Sequence, residues 1–279
     1  LRPPGTASGR EGAMGANYIM ENPDEAQRLE LKTDASVVES FARRAGLGPG
    51  MRVADVACGA GVTTSALGAV VGPAGRALGI DASEGRMARA RERFGGGNVE
   101  FAVKDILAPM EGLGSFDFAW IRFALEYYKA ESFDIARNAA ALLDSGGILC
   151  LVDLDYNCLS HYAMPPRLEA ALAAAVRQLE SKGNFDPYAG RKLYSHLYRL
   201  GFRDIGVEVG AHHVIYGALG PTDEYNWGKK IEVLSRNLDI ELPGYSGPGE
   251  FYEDFMRFFR DPARFTYTPV IAAWGVKPG

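Results

Sequence analysis

The chain has 279 residues, of which 47% are hydrophobic and 23% charged, a balance typical of a globular protein with an ordinary apolar core. The formal net charge is −5, the isoelectric point is about 5.5, and the basic residues form no concentrated face. The composition therefore argues against a nucleic-acid partner.

Cysteine usage and the lengths of the apolar runs exclude further classes. Cys58, Cys150 and Cys158 are widely spaced and form no Cys-x-x-Cys pair, so the sequence predicts neither a disulfide framework nor a zinc site. Without a His-Glu-x-x-His motif or a carboxylate cluster, we expect no metal. No apolar run approaches the roughly 18 residues of a membrane span and no signal peptide is recognisable, so we expect a cytoplasmic protein.

The N-terminal part of the chain is predicted to form a tail followed by one long helix. Residues 1–16 are rich in glycine and proline, and we expect a flexible tail, to which we assign no function. Asn22 suits a helix cap, Pro23 suits the first helical position, and Glu25 stands where a capping carboxylate reaches back. Apolar residues at helical spacing then predict that the helix continues to Gly46.

Strand-like and helix-like segments alternate from there to residue 153. Strands are predicted at residues 52–57, 76–81, 99–103, 116–121 and 147–153. Helices are predicted at residues 62–71, 83–94 and 131–143. Such alternation is typical of a parallel sheet with helices on both faces.

The pattern changes in the second half of the chain. Helices are predicted at residues 166–182 and 191–200, a strand around 205–209, a mainly helical segment at 221–260 and a last strand at 266–276. We therefore predict an α/β fold with a doubly wound, mostly parallel, seven-stranded sheet. One helical insertion precedes its sixth strand and another precedes its last.

The most informative stretch is the turn that follows the first strand. The strand ends at Ala57, and Cys58-Gly59-Ala60-Gly61 leads at once into a helix. Glycines there let the backbone approach a ligand closely, and the helix N-terminus offers it free N–H groups. In open α/β sheets ligands bind at the carboxyl ends of the strands. By itself, however, the turn also suits a plain strand-to-helix connection or a nicotinamide-binding loop.

Two further strand ends sharpen this prediction. Asp81 follows Gly61 by 20 positions (81 − 61 = 20), where a carboxylate can accept both hydroxyls of a ribose. A full Gly-x-Gly-x-x-Gly motif would have glycine at position 64, but Thr64 stands there, which favours a nucleoside without phosphates. Lys104-Asp105-Ile106 ends the third strand, where an acidic residue can bond an adenine amino group and an aliphatic one can cover the ring. Together the three strand ends predict an adenosine-shaped site.

These motifs, in this order, resemble those of class I S-adenosylmethionine-dependent methyltransferases, closest to the small-molecule group that includes ubiquinone and menaquinone biosynthesis enzymes. The resemblance extends through residues 116–127 and 143–151 and covers about half of the chain. It implies that the glycine turn contacts the methionine part of the cofactor, Asp81 the ribose, and Asp105 with Ile106 the adenine. Ala57 stands where many relatives carry glycine. The cofactor residues implied in the strand ends and turns are Asp55, Ala57, Cys58, Gly59, Gly61, Asp81, Ala82, Lys104, Asp105, Ile106, Ile121, Arg122 and Phe123.

The resemblance also implies an N-terminal helix folded over the cofactor. Tyr18 and Arg28 are then candidates to hold its carboxylate, which suits the planar guanidinium of arginine. Alternatively, Arg28 is an exposed helix residue and Tyr18 packs beside the helix cap. The implied domains are the tail, a Rossmann-like cofactor core at residues 17–153, and residues 154–279 with the remaining strands and a helical lid that binds the acceptor.

The implied activity is transfer of a methyl group from S-adenosylmethionine to an O, N or C atom of a small-molecule acceptor, with S-adenosylhomocysteine as product. His161, after the fifth strand, is the best of the four histidines as a general base, although a structural or surface role is the stronger interpretation for each of them. His212 and His213 are adjacent in a probable strand, so we expect their side chains on opposite faces. Six aromatic residues suggest a flat or apolar acceptor: Tyr127, Tyr128, Tyr156, Tyr162, Tyr225 and Trp227.

Two other classes of function stay open at this point. Thr64 and the absence of a Tyr-x-x-x-Lys arrangement disfavour a nicotinamide-dependent oxidoreductase but do not remove it. A catalytically silent S-adenosylmethionine-binding module would keep the adenosine site and lose its acceptor pocket.

Overall fold

The computed structural model describes residues 33–236 and 240–279. Its sheet has five parallel strands in the order β3-β2-β1-β4-β5. These strands are β1 (Arg52–Val56), β2 (Arg76–Asp81), β3 (Val99–Val103), β4 (Phe116–Arg122) and β5 (Leu143–Leu154). The order reverses after β3, so β1 and β4 lie side by side at the centre, which is where open α/β sheets bind ligands.

Antiparallel strands complete the other side of the sheet. They are β6 (His161–Tyr162), β7 (Arg203–Tyr216) and β8 (Phe265–Val276). β8 pairs with β5 along one edge and with β7 along the other, and β6 pairs with the first two residues of β8. The predicted seven strands are therefore present, and the two-residue β6 is an eighth.

Helices cover both faces of the sheet. They are α1 (Ala35–Arg44), α2 (Val62–Val71), α3 (Glu84–Phe94), α4 (Ser132–Ala141), α5 (Pro166–Lys182), α6 (Leu193–Arg199), α7 (Pro221–Arg236) and α8 (Pro248–Arg260). One apolar core joins α4 and α6 to the sheet, and a second joins α1, α2 and α3 to its other face. A third core lies among α5, α7 and α8, and we call these three helices the cap.

The predicted long N-terminal helix is wrong at residues 33 and 34. Asp34 has an extended backbone (φ −85°, ψ 111°) and its carboxylate accepts the Ser36 N–H at 2.9 Å, so α1 begins at Ala35. An N-cap of this kind satisfies an otherwise unpaired N–H and therefore marks a beginning. Residues 22–32 of the predicted helix lie outside the described part of the chain.

The cap is smaller than the insertions predicted from the sequence. The predicted helix at residues 191–200 is a short 3₁₀ turn followed by α6, and Leu193 and Leu197 of α6 are fully buried against the sheet. The aromatic segment after residue 221 divides into α7 and α8, which pack on each other through Trp227, Phe255 and Phe259.

Candidate active site

The glycine turn after β1 has a left-handed backbone at three positions. The φ angles are +61° at Ala57, +57° at Gly59 and +87° at Gly61. At Ala57 this conformation costs about 1–2 kcal/mol, because a Cβ approaches the following carbonyl. At Gly61 a Cβ would also lie 2.9 Å from the Cβ of Ala90 and from the ring of Phe101. Packing behind the turn as well as backbone geometry therefore requires glycine at position 61.

The helix that follows the turn leaves its N-terminal N–H groups available. α2 begins at Val62 without a side-chain cap, since its N-cap residue is Gly61. Inside the turn, Thr64 donates to the Asp55 carboxylate at 2.6 Å, and both side chains are buried. Burial raises the pKa of Asp55 to about 7, while the Thr64 hydrogen bond and the nearby Arg122 oppose that rise. Thr64 thus occupies the third glycine position with a buried, bonded side chain.

Cys58 faces the core beneath the turn. It is 7% exposed, and its Sγ lies 3.9 Å from Met87 Sδ. Burial raises the pKa of its thiol well above the usual range, so it is not a reactive thiolate.

Asp81 lies at the end of β2, directly beside the glycine turn. One of its oxygens accepts the Gly59 N–H at 3.1 Å. The other accepts the Ser83 N–H at 2.9 Å and an N–H of Arg86 at 3.0 Å. The Arg86–Asp81 ion pair is mostly buried, with side chains 15% and 9% exposed. Asp81 and the glycine turn, both predicted as cofactor residues, are therefore in contact. The ion pair with Arg86 could not be predicted from the sequence.

The end of β3 completes the row of strand ends. Lys104 follows β3 and is exposed, and its N–H donates to the Asp81 carbonyl at 3.1 Å. Asp105 is half-buried and accepts the Leu107 N–H at 2.9 Å. Ile106 is 4% exposed and packs in the core. Ala82, after Asp81, is half-buried. The ends of β1, β2 and β3 therefore form one continuous edge, as predicted.

Arg122 and Phe123 end β4 beside this edge. Ile121 precedes them and is fully buried in the apolar core, and its predicted contact with the cofactor stays a prediction. The guanidinium of Arg122 lies 3.9 Å from the centre of the Phe123 ring. Burial lowers the pKa of Arg122 to about 10, and the carboxylates of Asp55 and Asp153 oppose that fall. Arg122 is thus a desolvated cation at the centre of the sheet.

A cavity of about 210 Å³ opens where Arg122 and Phe123 end β4. Three layers enclose it: the start of α1, the ends of the central and antiparallel strands, and the first turns of α7. Its lining residues are Asp34, Val37, Phe41, Arg122, Phe123, Val152, Ala211, His212, His213, Thr222, Asp223, Asn226 and Val270. Arg122 links this cavity to the glycine turn because it lies within electrostatic reach of both Asp55 and Asp34.

Both His212 and His213 line this cavity, which corrects the expectation that they face opposite sides of a strand. Their ring centres are 4.0 Å apart. The pairing of β7 with β8 shifts register here, from Ala211 opposite Pro269 to His213 opposite Thr268. A β-bulge of this kind places two residues opposite one and breaks the alternation of side chains. Pro269, which has no N–H for the ladder, was the available sequence signal.

His161 is placed among aromatic side chains at the cap. One ring nitrogen lies 2.8 Å from the Thr266 hydroxyl and the other 3.2 Å from the Cys158 carbonyl. The rings of Trp227 and Phe255 lie nearly perpendicular to the imidazole, with ring centres 5.3 and 5.9 Å from its centre. Burial lowers its pKa to about 4, so the ring is neutral. This environment favours a structural role, and the general-base role stays a prediction.

The aromatic residues predicted to form the acceptor pocket are dispersed. Tyr162 is 71% exposed, whereas Trp227 is 2% exposed and packs inside the cap. Besides the two histidines, the aromatic residues in the lining of the cavity are Phe41 and Phe123. Tyr18 and Arg28 lie outside the described residues, so their predicted role in covering the cofactor stays a prediction.

Comparison with known proteins agrees with this geometry. Residues 53–147 match the family model described as a methyltransferase domain, and they contain the glycine turn, all three strand ends and Arg122. The match covers about a third of the chain, and this part carries a methyltransferase domain with a Rossmann-like fold. A search of curated protein sequences finds no match.

Solved structures similar to this methyltransferase share its fold at low sequence identity. Protein BH2331 of Bacillus halodurans is 18% identical, with 88% of this chain and 100% of that chain covered and a TM-score of 0.56. The [4+2]-cyclase SpnF is 21% identical, with coverages of 88% and 82% and a TM-score of 0.54. Phosphoethanolamine N-methyltransferase 2 of Haemonchus contortus is 18% identical, with coverages of 88% and 53% and a TM-score of 0.52.

Two structural absences hold for the described part of this methyltransferase. Among residues 33–236 and 240–279, no group of three or more His, Cys, Asp or Glu side chains could hold a metal ion. Over the same ranges, no helix is both long and apolar enough to cross a membrane.

Proposed function

We propose that the enzyme binds S-adenosylmethionine along the ends of β1, β2 and β3 and transfers its methyl group to a small molecule held in the 210 Å³ cavity. The observation that carries this proposal is the position of Arg122. Arg122 is the last residue of β4. Its charge interacts with Asp55 beside the glycine turn, and its side chain also lines the cavity. A cofactor on one side and an acceptor on the other would meet there.

The residues along the edge fit an adenosyl sulfonium without phosphates. The uncapped N-terminus of α2 and the left-handed turn at Gly59 present backbone to a ligand. Asp81 is oriented by the Gly59 and Ser83 N–H groups, as suits an acceptor for ribose hydroxyls. Asp105 and Ile106 lie where the adenine would extend. The cofactor supplies an already activated methyl group, so the protein chiefly aligns the acceptor and excludes water, which is worth on the order of 7–11 kcal/mol.

The mixed lining of the cavity supports a small acceptor with both apolar and polar parts. Val37, Phe41 and Val270 contribute apolar surface, and Asp223 and Asn226 contribute polar groups. Two helices, α1 and α7, and the strands of the sheet line it, so α7 of the cap serves as one wall. Exclusion of water from such a site strengthens every electrostatic interaction within it.

Calorimetric titration with S-adenosylmethionine and S-adenosylhomocysteine tests the proposal. We expect micromolar binding of both ligands by the wild-type protein and much weaker binding by Asp81→Ala. The matched control is Asp117→Ala, which removes an aspartate paired with Arg52 at the opposite, N-terminal edge of the sheet. Absence of binding by a folded wild-type sample would contradict the proposal, and NAD(H) would be the next ligand to titrate.

A further inference from the structure

The His212–His213 pair gives the cavity a chemistry that its methyltransferase assignment does not specify. We propose that the cavity binds a single-ring phenol and that this histidine pair accepts its hydroxyl proton, so that the phenol oxygen is methylated. This inference rests on the proposed function, and it names the acceptor class for the same site.

The size of the cavity limits the acceptor to about one ring. An apolar cavity of about 150 Å³ is large enough for benzene, and typical ligand pockets are 300 Å³ or more. A cavity of about 210 Å³ therefore accommodates a six-membered ring with a few substituent atoms. A fused polycyclic acceptor would need the walls to move.

The walls of the cavity differ in polarity, as a ring with a polar edge requires. Phe41, Phe123 and Val152 form an apolar wall on the side of α1 and the central strands. Asn226, on α7, is 9% exposed, and its Oδ1 has no hydrogen-bond partner among the described residues. A buried acceptor without a partner costs about 1–3 kcal/mol, so a donor on the ligand would stabilise it.

The proximity of the two imidazoles makes one of them a base. With ring centres 4.0 Å apart, two imidazolium ions would repel each other, so the pair holds one proton more readily than two. Among residues 33–236 and 240–279, the charged side chains that line the cavity together with the pair are Arg122 from β4, Asp34 before α1 and Asp223 from α7. Arg264 lies behind Asp223, and its charge opposes the burial that raises the Asp223 pKa. Arg122 disfavours a second proton on the pair and favours an oxyanion beside it.

The electrons and the proton balance in this step. An oxygen lone pair of the phenol forms the new bond to the methyl carbon, and the sulfur–methyl bond breaks with its electron pair returning to sulfur. The hydroxyl proton moves to a ring nitrogen of the pair. The positive charge of the sulfonium is thus replaced by that of an imidazolium, and no oxidant or metal is required.

Ionisation of 4-nitrophenol in the cavity tests the inference without turnover. The probe is titrated with pH on the S-adenosylhomocysteine complex, and the visible absorbance of its phenolate gives its pKa when bound. We expect wild type to lower that pKa by at least one unit relative to the free probe, a tenfold change in ionisation. The double variant His212→Gln/His213→Gln should remove most of this shift, since Gln has no titrating nitrogen, and the small remainder is the contribution of Arg122.

Two controls separate proton acceptance from simple shape or misfolding. His196→Gln changes a buried histidine that does not line the cavity, and it should leave the bound pKa unchanged. Binding of 4-nitroaniline, which has no hydroxyl, should change less than threefold in the double variant. Calorimetry with S-adenosylhomocysteine identifies the variants that fold and keep the cofactor site.

Three results would overturn the inference. They are an unshifted pKa of the bound probe in wild type, an equal shift in the double variant, and failure of the probe to bind while S-adenosylhomocysteine binds. Each of them leaves the proposed methyl transfer standing. Loss of S-adenosylhomocysteine binding by wild type would contradict the proposed function itself.

Discussion

At the scale of single residues, buried charge dominates the site. Asp55, Asp81 and Arg122 are all desolvated, and each is held by a partner that suits its charge: Thr64, Arg86, and the carboxylates of Asp55 and Asp153. Burial of a charge is tolerated only with such partners. The site is therefore preorganised before any ligand arrives, at some expense in stability.

Substitution of Asp55 should change how stability depends on pH. Burial raises the pKa of Asp55 from 3.8 to about 7. At pH values between these two, the folded protein therefore keeps a proton that the unfolded chain has released. The free energy of unfolding should therefore fall as pH rises from about 4 to about 7, by roughly 1.4 kcal/mol per pH unit at most from this group. Urea unfolding of Asp55→Asn across this range should show a shallower fall.

The control for this experiment is Asp117→Asn. The Arg52 guanidinium holds the pKa of Asp117 below its usual value, so its contribution to stability is lost only as pH falls below about 4. Asp117→Asn should therefore leave the fall between pH 4 and 7 unchanged. Equal slopes for wild type and Asp55→Asn would show that the pKa of Asp55 is not raised in the folded protein.

Arg86→Gln should weaken cofactor binding less than Asp81→Ala does. Arg86 orients one Asp81 oxygen, but the Ser83 and Gly59 N–H groups also hold that carboxylate. We expect a loss in S-adenosylhomocysteine affinity of roughly tenfold, since one hydrogen bond to a charged group is worth about 1.5 kcal/mol. Calorimetry measures both variants. A loss as large as that of Asp81→Ala would mean that Arg86 contacts the ligand itself.

At the scale of secondary-structure elements, the pairing of β7 with β8 and the packing of the cap form the cavity. The register shift at Ala211–His213 turns both histidines toward the cavity. The first turns of α7 supply Thr222, Asp223 and Asn226, and the rest of α7 packs against α8. The packing of the cap therefore positions one wall of the cavity.

Phe255→Ala should destabilise the cap. Phe255 is fully buried, with Trp227 and Phe259 rings stacked near it at 6.0 and 5.5 Å. Truncation should cost about 3–5 kcal/mol in the free energy of unfolding and raise hydrogen exchange in α7 and α8. Affinity for S-adenosylhomocysteine should be retained, because the cofactor edge packs in the other two cores.

Phe265→Ala is the matched control for this substitution. Phe265 is 41% exposed at the start of β8, so its truncation should cost less than about 1 kcal/mol. If Phe255→Ala removed cofactor binding as fully as it loosened the cap, the cap and the sheet would unfold as one cooperative unit.

At the scale of the whole molecule, ligand binding should be visible as global stabilisation. The edge that we assign to the cofactor joins β1, β2 and β3, three of the five parallel strands of the sheet. Saturation at a hundredfold excess over Kd adds about 2.7 kcal/mol to the free energy of unfolding. Thermal unfolding with S-adenosylhomocysteine should therefore shift Tm upward by several degrees in wild type and not at the same concentration in Asp81→Ala. A shift retained in Asp81→Ala would place the ligand elsewhere.

Much of the cofactor half could be predicted from the sequence. The helix bounds at residues 62–71 and 166–182 and the strand bounds at 76–81 and 99–103 agree with the structure. Hydrophobic periodicity encodes such elements locally, and a parallel sheet brings successive strand ends to one edge. The meeting of Asp81 with the glycine turn followed from these two facts.

Tertiary structure alone decided the acceptor side. The bulge that turns His212 and His213 together depends on the register of β7 against β8, where the paired residues His213 and Thr268 lie 55 positions apart in the chain (268 − 213 = 55). The packing of Arg86 on Asp81 and the burial of Arg122 likewise arise from contacts between elements. Local periodicity specifies which face a side chain takes in a regular strand. It carries no information about where pairing with a distant strand introduces a register shift. The cavity is lined by the residues at that shift.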